Sequence, residues 1–407
     1  MILLYITYDG LLDPLGASQI LPYIKIIAQS HGRVIVLSFE KNDRISMYSE
    51  QKYTEIKDFD IEWKPLRFTR GFGFFGKLWD LVKMYFWAWW LSMRYKVYAV
   101  HARGHPAAQV GLFVKKILGT KLIFDFRGLW VDERVDKGGW DVSRFWHRKQ
   151  YQYFKKVERI LLRRADQIVV LTNAVLGEMN KLGGAIESKI TVIPCCADFD
   201  HFFLASEISK VCVRHDAQIP DDAFVIGYLG SVGPMYMLNC YFRFIELAFA
   251  HDKSVHSLII TPDIELLKKL INEYLPVELH NRVHFRSATR NEVPAVLSAM
   301  DVMVSFITPS YARMAASPTK LAECFASGIP VICNDGVGDV SEQVAQLGAG
   351  IIVDPASDID LLRAVDCLDE IYKMGGQRLR EKSRPLLGLE RAESLYKSVY
   401  CKIVSNS

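Results

Sequence analysis

The sequence predicts an α/β protein with two doubly wound, parallel β-sheets. Three observations lead to this prediction: short apolar segments recur along both halves of the chain, helical patterns separate them, and the net charge changes sign near the middle. Short strands that alternate with helices are typical of βαβ units, in which the strands are parallel and buried. With 407 residues, 50% of them hydrophobic, the chain is long enough for two such cores.

The predicted strands follow one another in each half. In the first half they are ILLYITYD, RVIVLSF, YAVHAR, KLIFDFRG and QIVVLT, and in the second half FVIGYLG, SLIIT, RVHF, DVMVSF, IPVIC and GIIVD. Helical patterns fill the segments between them. We find no internal repeat and no low-complexity segment.

Charge divides the chain into a basic and an acidic half. Residues 1–195 carry 30 Lys and Arg against 19 Asp and Glu, whereas residues 196–407 carry 20 against 27. A basic half suits an anionic membrane surface or a nucleic acid. Zinc-finger spacing, RNP-like aromatic motifs and dense Lys/Arg tracts are all missing from the sequence, so we expect no nucleic-acid partner.

The cysteines and the apolar segments indicate a cytoplasmic protein. The eight cysteines form no C-x-x-C pair and no His/Cys ligand spacing, which predicts free thiols in a reducing compartment and no bound metal. The first residues, MILLYITYDG, lack a basic n-region. Charges interrupt every apolar stretch before about 18 residues, so we expect no membrane span.

The most informative motif is SPTKLAECFASGIPVICNDGVGD, residues 317–339. Pro318 suits the first turn of a helix, and the amides of residues 319–321 would face an anion there. Lys320 adds a positive charge, and Glu323 shares its helix face and can accept hydrogen bonds from a ribose diol. The alternative without a functional role is an ordinary capped helix with a surface Lys-Glu pair.

This motif resembles the nucleotide-sugar signature of glycosyltransferase family 4, and the resemblance extends over nearly the whole chain. It implies the GT-B fold, with two Rossmann-like domains facing a deep cleft. The match of VIPCCADFDHF to the family's linker divides the chain into an acceptor domain at 1–198, a donor domain at 199–388 and a helix at 389–407 that crosses back to the first domain.

The resemblance also assigns donor residues. Glu323 matches the family's ribose-binding Glu, but the family's other Glu falls at Ala315. The family's Gly-Arg and Lys-Gly pairs, which bind the diphosphate, correspond to Gly230, Ser231, Tyr236 and Met237, so Ser231 and Tyr236 stand in the places of the two cations. We expect Lys320 and Arg313 to replace these cations. The nucleobase is expected near 261–263 and 285–287. The expected donor-binding residues are Gly16, Ala17, Ser18, Gly230, Ser231, Gly233, Arg286, Ser317, Pro318, Thr319, Lys320, Leu321 and Glu323.

Polar residues at predicted strand ends of the first half are candidates for the acceptor side. Gly16, Ala17 and Ser18 follow the first strand in DGLLDPLGASQIL, where backbone can approach a diphosphate. Arg127 occupies the place of the family's His, and together with Asp125, Lys320 and Arg313 it forms the expected catalytic set. The expected acceptor-binding residues are His101, Arg103, His105, Asp132 and Glu133. For each of them a buried contact or strand-end ion pair is the alternative.

Residues 67–96 combine many aromatic residues with Lys and Arg. One interpretation is an amphipathic helix at a membrane interface, and the other is a helix buried against the first sheet. We expect a mixture of the two, with one face in the core. The residues expected to face a membrane or a lipid-linked acceptor are Arg67, Arg70, Phe72, Phe74, Phe75, Lys77 and Lys83.

The resemblance implies a retaining, metal-independent transfer of a sugar from a UDP- or GDP-type donor to a lipid-linked or glycan acceptor, in bacterial surface polysaccharide assembly. The enzyme would lie in the cytoplasm or on the cytoplasmic face of the membrane. Two alternatives remain: a nucleotide-sugar epimerase of the same fold, and a non-catalytic, glycosyltransferase-like binding subunit.

Overall fold

In a computed structural model, residues 1–69, 71–184, 186–204 and 206–405 are described. The chain forms two compact units. The first comprises Met1–Pro194 together with Ala392–Ser407, and the second comprises Cys195–Arg391. Each unit contains one parallel sheet, so the predicted α/β fold class with two such sheets is confirmed.

The first unit has a seven-stranded sheet in the order β3-β2-β1-β4-β5-β6-β7. Its strands are β1 (Leu3–Thr7), β2 (Val34–Glu40), β3 (Ile61–Arg67), β4 (Ala99–Arg103), β5 (Lys121–Asp125), β6 (Gln167–Val170) and β7 (Ile190–Val192). Its helices are α1 (Pro14–Gln19), α2 (Leu21–His31), α3 (Asn42–Ile56), α4 (Gly73–Tyr95), α5 (Gly104–Leu118), α6 (Trp130–Asp136), α7 (Phe145–Arg164) and α8 (Leu176–Gly183), with a 3₁₀ turn at Glu187–Lys189.

The sequence analysis missed two strands of this sheet, β3 and β7, and these are its two edges. Edge strands are buried on fewer sides than central ones, so they carry a weaker apolar signal. β3 contains Glu62, Lys64 and Pro65. Proline is tolerated in edge strands, where one side of the backbone has no strand partner.

The second unit has a six-stranded sheet in the order β10-β9-β8-β11-β12-β13, and all six of its strands were predicted. They are β8 (Phe224–Leu229), β9 (Val255–Ile260), β10 (Val283–Arg286), β11 (Val302–Ser305), β12 (Val331–Cys333) and β13 (Gly350–Ile352). The helices are α9 (Glu207–Asp216), α10 (Leu238–His251), α11 (Ile264–Tyr274), α12 (Val293–Leu297), α13 (Thr319–Ala326), α14 (Val340–Leu347), α15 (Asp358–Asp366), α16 (Leu368–Lys373) and α17 (Gln377–Leu387), with 3₁₀ turns at Val277–Arg282 and Tyr311–Ala315.

The last helix, α18 (Leu389–Ser405), contributes most of its residues to the first unit. There Tyr400 Oη lies 2.6 Å from His101 Nδ1, and the Tyr396 ring lies 5.7 Å from the ring of Tyr23. Both tyrosines are buried. The C-terminal residues are therefore part of the core of the first unit.

In both sheets the strand order reverses beside the first strand of the unit, between β1 and β4 and between β8 and β11. Open α/β sheets bind ligands at such switch points, outside the carboxyl ends of the strands. The two groups of polar residues described below lie at these two edges.

Candidate functional site

Helix α13 begins beside the switch point of the second sheet. Pro318 precedes its first residue in an extended conformation, and the helix ends before Gly328, whose φ of +74° is in the left-handed region. A Cβ at Gly328 would lie 2.5 Å from Leu204 Cδ1 and 2.9 Å from the Gly376 carbonyl oxygen, so glycine is required there. The start of the helix at Pro318 follows the sequence prediction.

Lys320 is buried in α13, and its ammonium group lies on two tyrosine rings. Lys320 Nζ is 4.1 Å from the ring centroid of Tyr236 and 5.1 Å from that of Tyr228. It makes no hydrogen bond with any residue in the described part of the chain. Burial lowers the pKa of Lys320 to about 8, because the charged form loses its hydration. The two rings form what we call the aromatic cage.

Gly230, at the carboxyl end of β8, lies beside the ammonium group of Lys320. Its φ is +146°, and a Cβ there would lie 3.5 Å from Lys320 Nζ. The neighbouring Ser231 accepts a hydrogen bond at its carbonyl oxygen from Tyr228 Oη at 2.8 Å. The loop after β8 is thus fixed around the ammonium group.

Glu323 stands one turn further along α13 and pairs with Arg290. Arg290 Nη1 lies 3.2 Å from Glu323 Oε1. Burial raises the pKa of Glu323, and the charge and hydrogen bond of Arg290 oppose that rise. Lys320 and Glu323 therefore do not compensate each other, although they share a helix face.

A backbone amide and a side-chain hydroxyl at the start of α13 form hydrogen bonds within the chain. The amide of Leu321 donates to the Pro318 carbonyl oxygen at 3.2 Å, which corrects the prediction that this amide faces an anion. The Ser317 hydroxyl accepts a hydrogen bond from the Cys195 amide at 3.1 Å. The buried Thr319 Oγ1 makes no hydrogen bond within the described ranges.

The remaining predicted donor residues lie in loops at the same sheet edge. Asp263, after β9, accepts a hydrogen bond from the Val232 amide at 2.8 Å and so joins two of these loops. Arg286 ends β10, and its guanidinium lies 3.7 Å from a carboxylate oxygen of Glu292. Arg313 is buried in the 3₁₀ turn that also contains the buried Ala315. Gly233 is half-buried and has room for a side chain.

At the switch point of the first sheet, three basic side chains surround Asp125. His101 Nε2 lies 3.8 Å from Asp125 Oδ2, Arg103 Nη1 lies 3.6 Å from the same oxygen, and Arg127 Nη1 lies 3.6 Å from Oδ1. Burial alone would raise the pKa of Asp125, but Arg127, His101 and Arg103 lower it to about 2. We call these four residues the Asp125 cluster.

His101 and Arg103 are almost fully enclosed, and their direct contact with an acceptor stays a prediction. The His101 ring is held between Asp125 and Tyr400, and Arg103 Nε lies 3.8 Å from Asp9 at the end of β1. Arg127 is the more accessible basic group, and it donates a hydrogen bond to Gln19 Oε1 at 2.9 Å. Arg127 and Asp125 thus form an ion pair at the strand end.

Three other acceptor candidates make contacts within the first unit. His105 Nε2 lies 2.9 Å from Glu158 Oε2, and Asp132 accepts from Lys155 Nζ at 2.9 Å. Lys155 also reaches Glu158, so these residues form one buried network. Because His105 and Asp132 already have partners in this network, they fit the alternative of buried contacts within the chain. Glu133 is half-buried and pairs with Lys137 one turn along the helix.

Residues 16–18 were predicted to form a loop in which the backbone can approach a ligand. The loop conformation is wrong for these residues. They belong to the short helix α1, where the Ala17 amide donates to the Asp13 carbonyl oxygen. A Cβ at Gly16 would lie 2.0 Å from the Gly10 carbonyl oxygen, so this glycine permits packing against its own chain. The Ser18 hydroxyl donates to the Pro14 carbonyl oxygen.

Helix α4 has one buried and one exposed apolar face, as expected for residues 67–96. Met84, Ala88 and Leu91 are in the core, and an exposed apolar stripe runs along the other side. The stripe consists of Phe75, Leu78, Trp79, Val82, Phe86, Trp90 and Met93, with Phe72 just before it. Arg67 and Lys77 are exposed beside it.

Some of the residues predicted to face a membrane either contact their own chain or lie outside the described residues. Lys83 Nζ lies 2.7 Å from Asp80 and donates to the Arg67 carbonyl oxygen, so it is tied to its own chain. Arg70 and the side chain of Phe74 lie outside the described residues. Across the described ranges, none of the helices, α4 included, combines the length and the apolar character needed to cross a bilayer.

Sequence reasoning missed Arg290 as the partner of Glu323 and the tyrosine rings as the partners of Lys320. Tyr236 carries a signal in hindsight, because it occupies a position where the family has a cation. Arg290 carries none, since it is separated from Glu323 by 33 residues. Among the residues described, we find no group of three or more His, Cys, Asp and Glu side chains arranged to hold a metal ion.

Comparisons with known proteins define the class of this fold. Two family models match the chain: a glycosyl transferase 4-like domain over residues 47–196 and glycosyl transferases group 1 over residues 213–380. Together they cover more than three quarters of the sequence. Two parallel-sheet units with these matches define a glycosyltransferase of the GT-B class. The chain belongs to glycosyltransferase family 4.

Solved structures with the same fold are distant in sequence. HepE from Anabaena, in complex with UDP and glucose, is 16% identical with a TM-score of 0.72, over 98% of this chain and 99% of that one. Sucrose-phosphate synthase from Thermosynechococcus elongatus is 15% identical with a TM-score of 0.72, over 100% of both chains. A glycosyltransferase from Rickettsia africae is 15% identical with a TM-score of 0.72, over 100% of this chain and 99% of that one. No curated protein matches the sequence.

Proposed function

We propose that this glycosyltransferase transfers a sugar, with retention of anomeric configuration and without a metal ion, from a nucleoside diphosphate sugar to a lipid-linked or glycan acceptor. The observation that carries the proposal is the buried Lys320 ammonium at the start of α13, beside Gly230 and one turn from Glu323. A buried cation without an anionic partner is costly unless a ligand supplies one. The complex of HepE with UDP supports a nucleotide as that ligand.

In this proposal the second unit binds the donor. Lys320 contacts the diphosphate, Arg313 adds charge compensation, and Glu323 accepts hydrogen bonds from the ribose hydroxyls. The bond between the sugar C1 and the diphosphate oxygen breaks, and the acceptor oxygen bonds to C1 on the same face. The acceptor's hydroxyl proton passes to the departing diphosphate. Positive charge from Lys320 and Arg313 takes the place of a divalent cation.

The first unit is proposed to bind the acceptor at the Asp125 cluster. The guanidinium groups of Arg103 and Arg127 carry two positive charges against the one negative charge of Asp125, so the cluster carries excess positive charge. An anionic group of the acceptor, such as the phosphate of a lipid carrier, would complete the balance. Arg127 is the residue placed to make that contact, because it is the most accessible of the three basic side chains in the cluster.

The apolar stripe on α4 is proposed to rest on the cytoplasmic surface of an anionic membrane, where a lipid-linked acceptor is found. α7 adds a second aromatic and basic surface, with exposed Phe145 and Trp146 flanked by Arg144, Arg148 and Lys149. Exposed aromatic rings beside basic side chains suit the headgroup region of a bilayer, and each added cation strengthens binding to anionic lipids.

Vesicle sedimentation tests the membrane part of the proposal. We expect the protein to bind vesicles that contain phosphatidylglycerol more strongly than pure phosphatidylcholine vesicles, and we expect Phe75→Ser with Trp79→Ser to reduce binding at least about tenfold. The matched control is Ile359→Ser, which removes an equally exposed apolar side chain from the second unit. Equal binding by the control and the double variant would contradict the proposed surface.

Calorimetric titration tests the donor site. UDP, GDP, ADP and CMP are titrated in the presence of EDTA into the wild type and into Glu323→Ala. We expect one diphosphate to bind selectively, with affinity reduced by about 1–3 kcal/mol in the variant. Absence of binding by all four would favour a non-catalytic subunit. A product formed from the sugar nucleotide alone, without acceptor, would favour an epimerase.

A further inference from the structure

Arg290 contacts groups from two separate segments, helix α13 and residues 201–202. Its Nη1 bonds to Glu323 Oε1 at 3.2 Å, and its guanidinium carbon lies 5.7 Å from the ring centroid of Phe202. Its carbonyl oxygen lies 3.3 Å from His201 Nε2. The half-buried Arg290 side chain has two partners, the Glu323 carboxylate and the Phe202 ring, so its contact with Glu323 is preorganised.

The charge state of Glu323 depends on this contact. Burial raises the pKa of Glu323, while Arg290 opposes the rise through its charge and its hydrogen bond, and His201 opposes it more weakly. On its own helix Glu323 has Lys320 and Cys324 as titratable neighbours. A protonated Glu323 would become a hydrogen-bond donor and would lose the strong, charge-assisted acceptance of hydroxyl protons.

We propose that Arg290 is a positioning residue for the donor's ribose, because it keeps the Glu323 carboxylate ionised and oriented to accept hydrogen bonds from the ribose hydroxyls. This inference rests on the proposed function, which assigns the ribose to Glu323. It extends that function by making selection for ribonucleotides over deoxynucleotides a property of the pair. Arg290 itself touches the carboxylate and acts on the ligand through it.

The test compares ribonucleoside diphosphates with their deoxy analogues. Dissociation constants of UDP, GDP and their 2′-deoxy and 3′-deoxy forms are measured between pH 5.5 and 8 for the wild type, Glu323→Gln, Arg290→Gln and Arg290→Lys. The ratio of deoxy to ribo constants is the readout, because pH effects on the diphosphate cancel in it. The control is Arg363→Gln, an exposed arginine of the same unit that pairs with Asp360.

For whichever of UDP and GDP binds better, we expect the wild type to bind the ribonucleotide about tenfold or more tightly than either deoxy form at pH 8. The reason is that a hydrogen bond to a charged group is lost with either hydroxyl. The preference falls as pH drops through the pKa of Glu323. Arg290→Gln raises that pKa, so its preference disappears at a higher pH. Arg290→Lys keeps a positive charge and retains much of the preference, and Arg363→Gln behaves like the wild type.

The outcomes separate this inference from the proposed function. If Glu323→Gln keeps the wild-type preference, Glu323 does not hold the ribose, and the donor site itself is wrongly assigned. If Glu323→Gln loses the preference but Arg290→Gln keeps the wild-type pH profile, only the role of Arg290 is overturned. Tighter ribonucleotide binding by Arg290→Gln would also overturn it, because Arg290 would then compete with the ligand.

Discussion

The two units carry polar groups at equivalent edges of their sheets, but they balance charge in different ways. In the Asp125 cluster, a single buried carboxylate lies between 3.6 and 3.8 Å from three basic side chains. On α13, Lys320 and Glu323 lie one turn apart and have separate partners. Lys320 rests on tyrosine rings, and Glu323 bonds to Arg290.

This difference indicates what each site contributes. The charges of the Asp125 cluster depend on one another, so removing its carboxylate leaves buried cations behind and affects folding. The Lys320 ammonium has no anionic neighbour in hydrogen-bond range among the residues described, so its charge is available to a ligand. Changes in the first unit should therefore appear mainly as lost stability, and changes around Lys320 mainly as lost affinity.

The largest expected effect is on the stability of the first unit. Asp125→Asn removes the negative charge between three basic side chains and is expected to lower the free energy of unfolding by about 3–5 kcal/mol. Chemical denaturation at neutral pH measures it. Asp141→Asn, at an exposed site of the same unit, serves as the control and should change stability little. A loss below about 1 kcal/mol for Asp125→Asn would mean that the cluster is not held by its carboxylate.

The next effect concerns affinity without stability. Lys320→Met keeps much of the side-chain volume and removes the charge, so we expect the affinity for UDP or GDP to fall by about 1.5–3 kcal/mol. The affinity for the bare nucleoside should not change, because it lacks the diphosphate. The free energy of unfolding should stay the same or rise, since a buried charge is removed. Lys253→Met, on the surface of the same unit, is the matched control. Equal losses of affinity for the nucleoside and for the nucleoside diphosphate would mean that Lys320 does not contact the diphosphate.

A smaller effect follows from the pKa of Lys320, which burial lowers to about 8. Only the protonated amine attracts a diphosphate, so affinity is fully present below pH 8 and declines above it. The decline approaches about tenfold for each pH unit, because above pH 8 the Lys320 amine must take up a proton when the diphosphate binds. Titration of UDP between pH 6.5 and 9.5 measures this dependence. Lys320→Arg should abolish it, and a persistent dependence in that variant would assign it to another group.

The contrast between the two sites also shows how far sequence reasoning reaches. The position of α13 was predictable because its signals are local: a proline before the helix and a glycine after it fix its ends, and the spacing of Lys320 and Glu323 fixes their shared face. Of the thirteen strands in the described residues, eleven were predicted, and the two missed strands, β3 and β7, are both sheet edges. Their half-buried residues lack a continuous apolar pattern.

The partners of the site residues were not predictable, because they come from distant parts of the chain. His105 meets Glu158 and Asp132 meets Lys155, so two expected ligand-binding residues are engaged by α7. Arg290 meets Glu323 through the folding of a separate loop. Sequence spacing places a side chain on a face of its own helix or strand, but the element packed against that face decides whether the side chain is available to a ligand.

The smallest expected effect concerns the aromatic cage, which distinguishes a ring from mere bulk beside Lys320. Tyr236→Leu removes the ring face 4.1 Å from the ammonium, and we expect the affinity for UDP or GDP to fall by about 0.5–2 kcal/mol. Loss of the ring also lowers the pKa of Lys320 further, so the decline in affinity with rising pH should begin at lower pH. Tyr236→Phe keeps the ring and is the control, with wild-type affinity and pH profile expected. If the Phe and Leu variants lose affinity equally, the hydroxyl of Tyr236 matters rather than its ring, and the contrast with the Asp125 cluster rests on Lys320 alone.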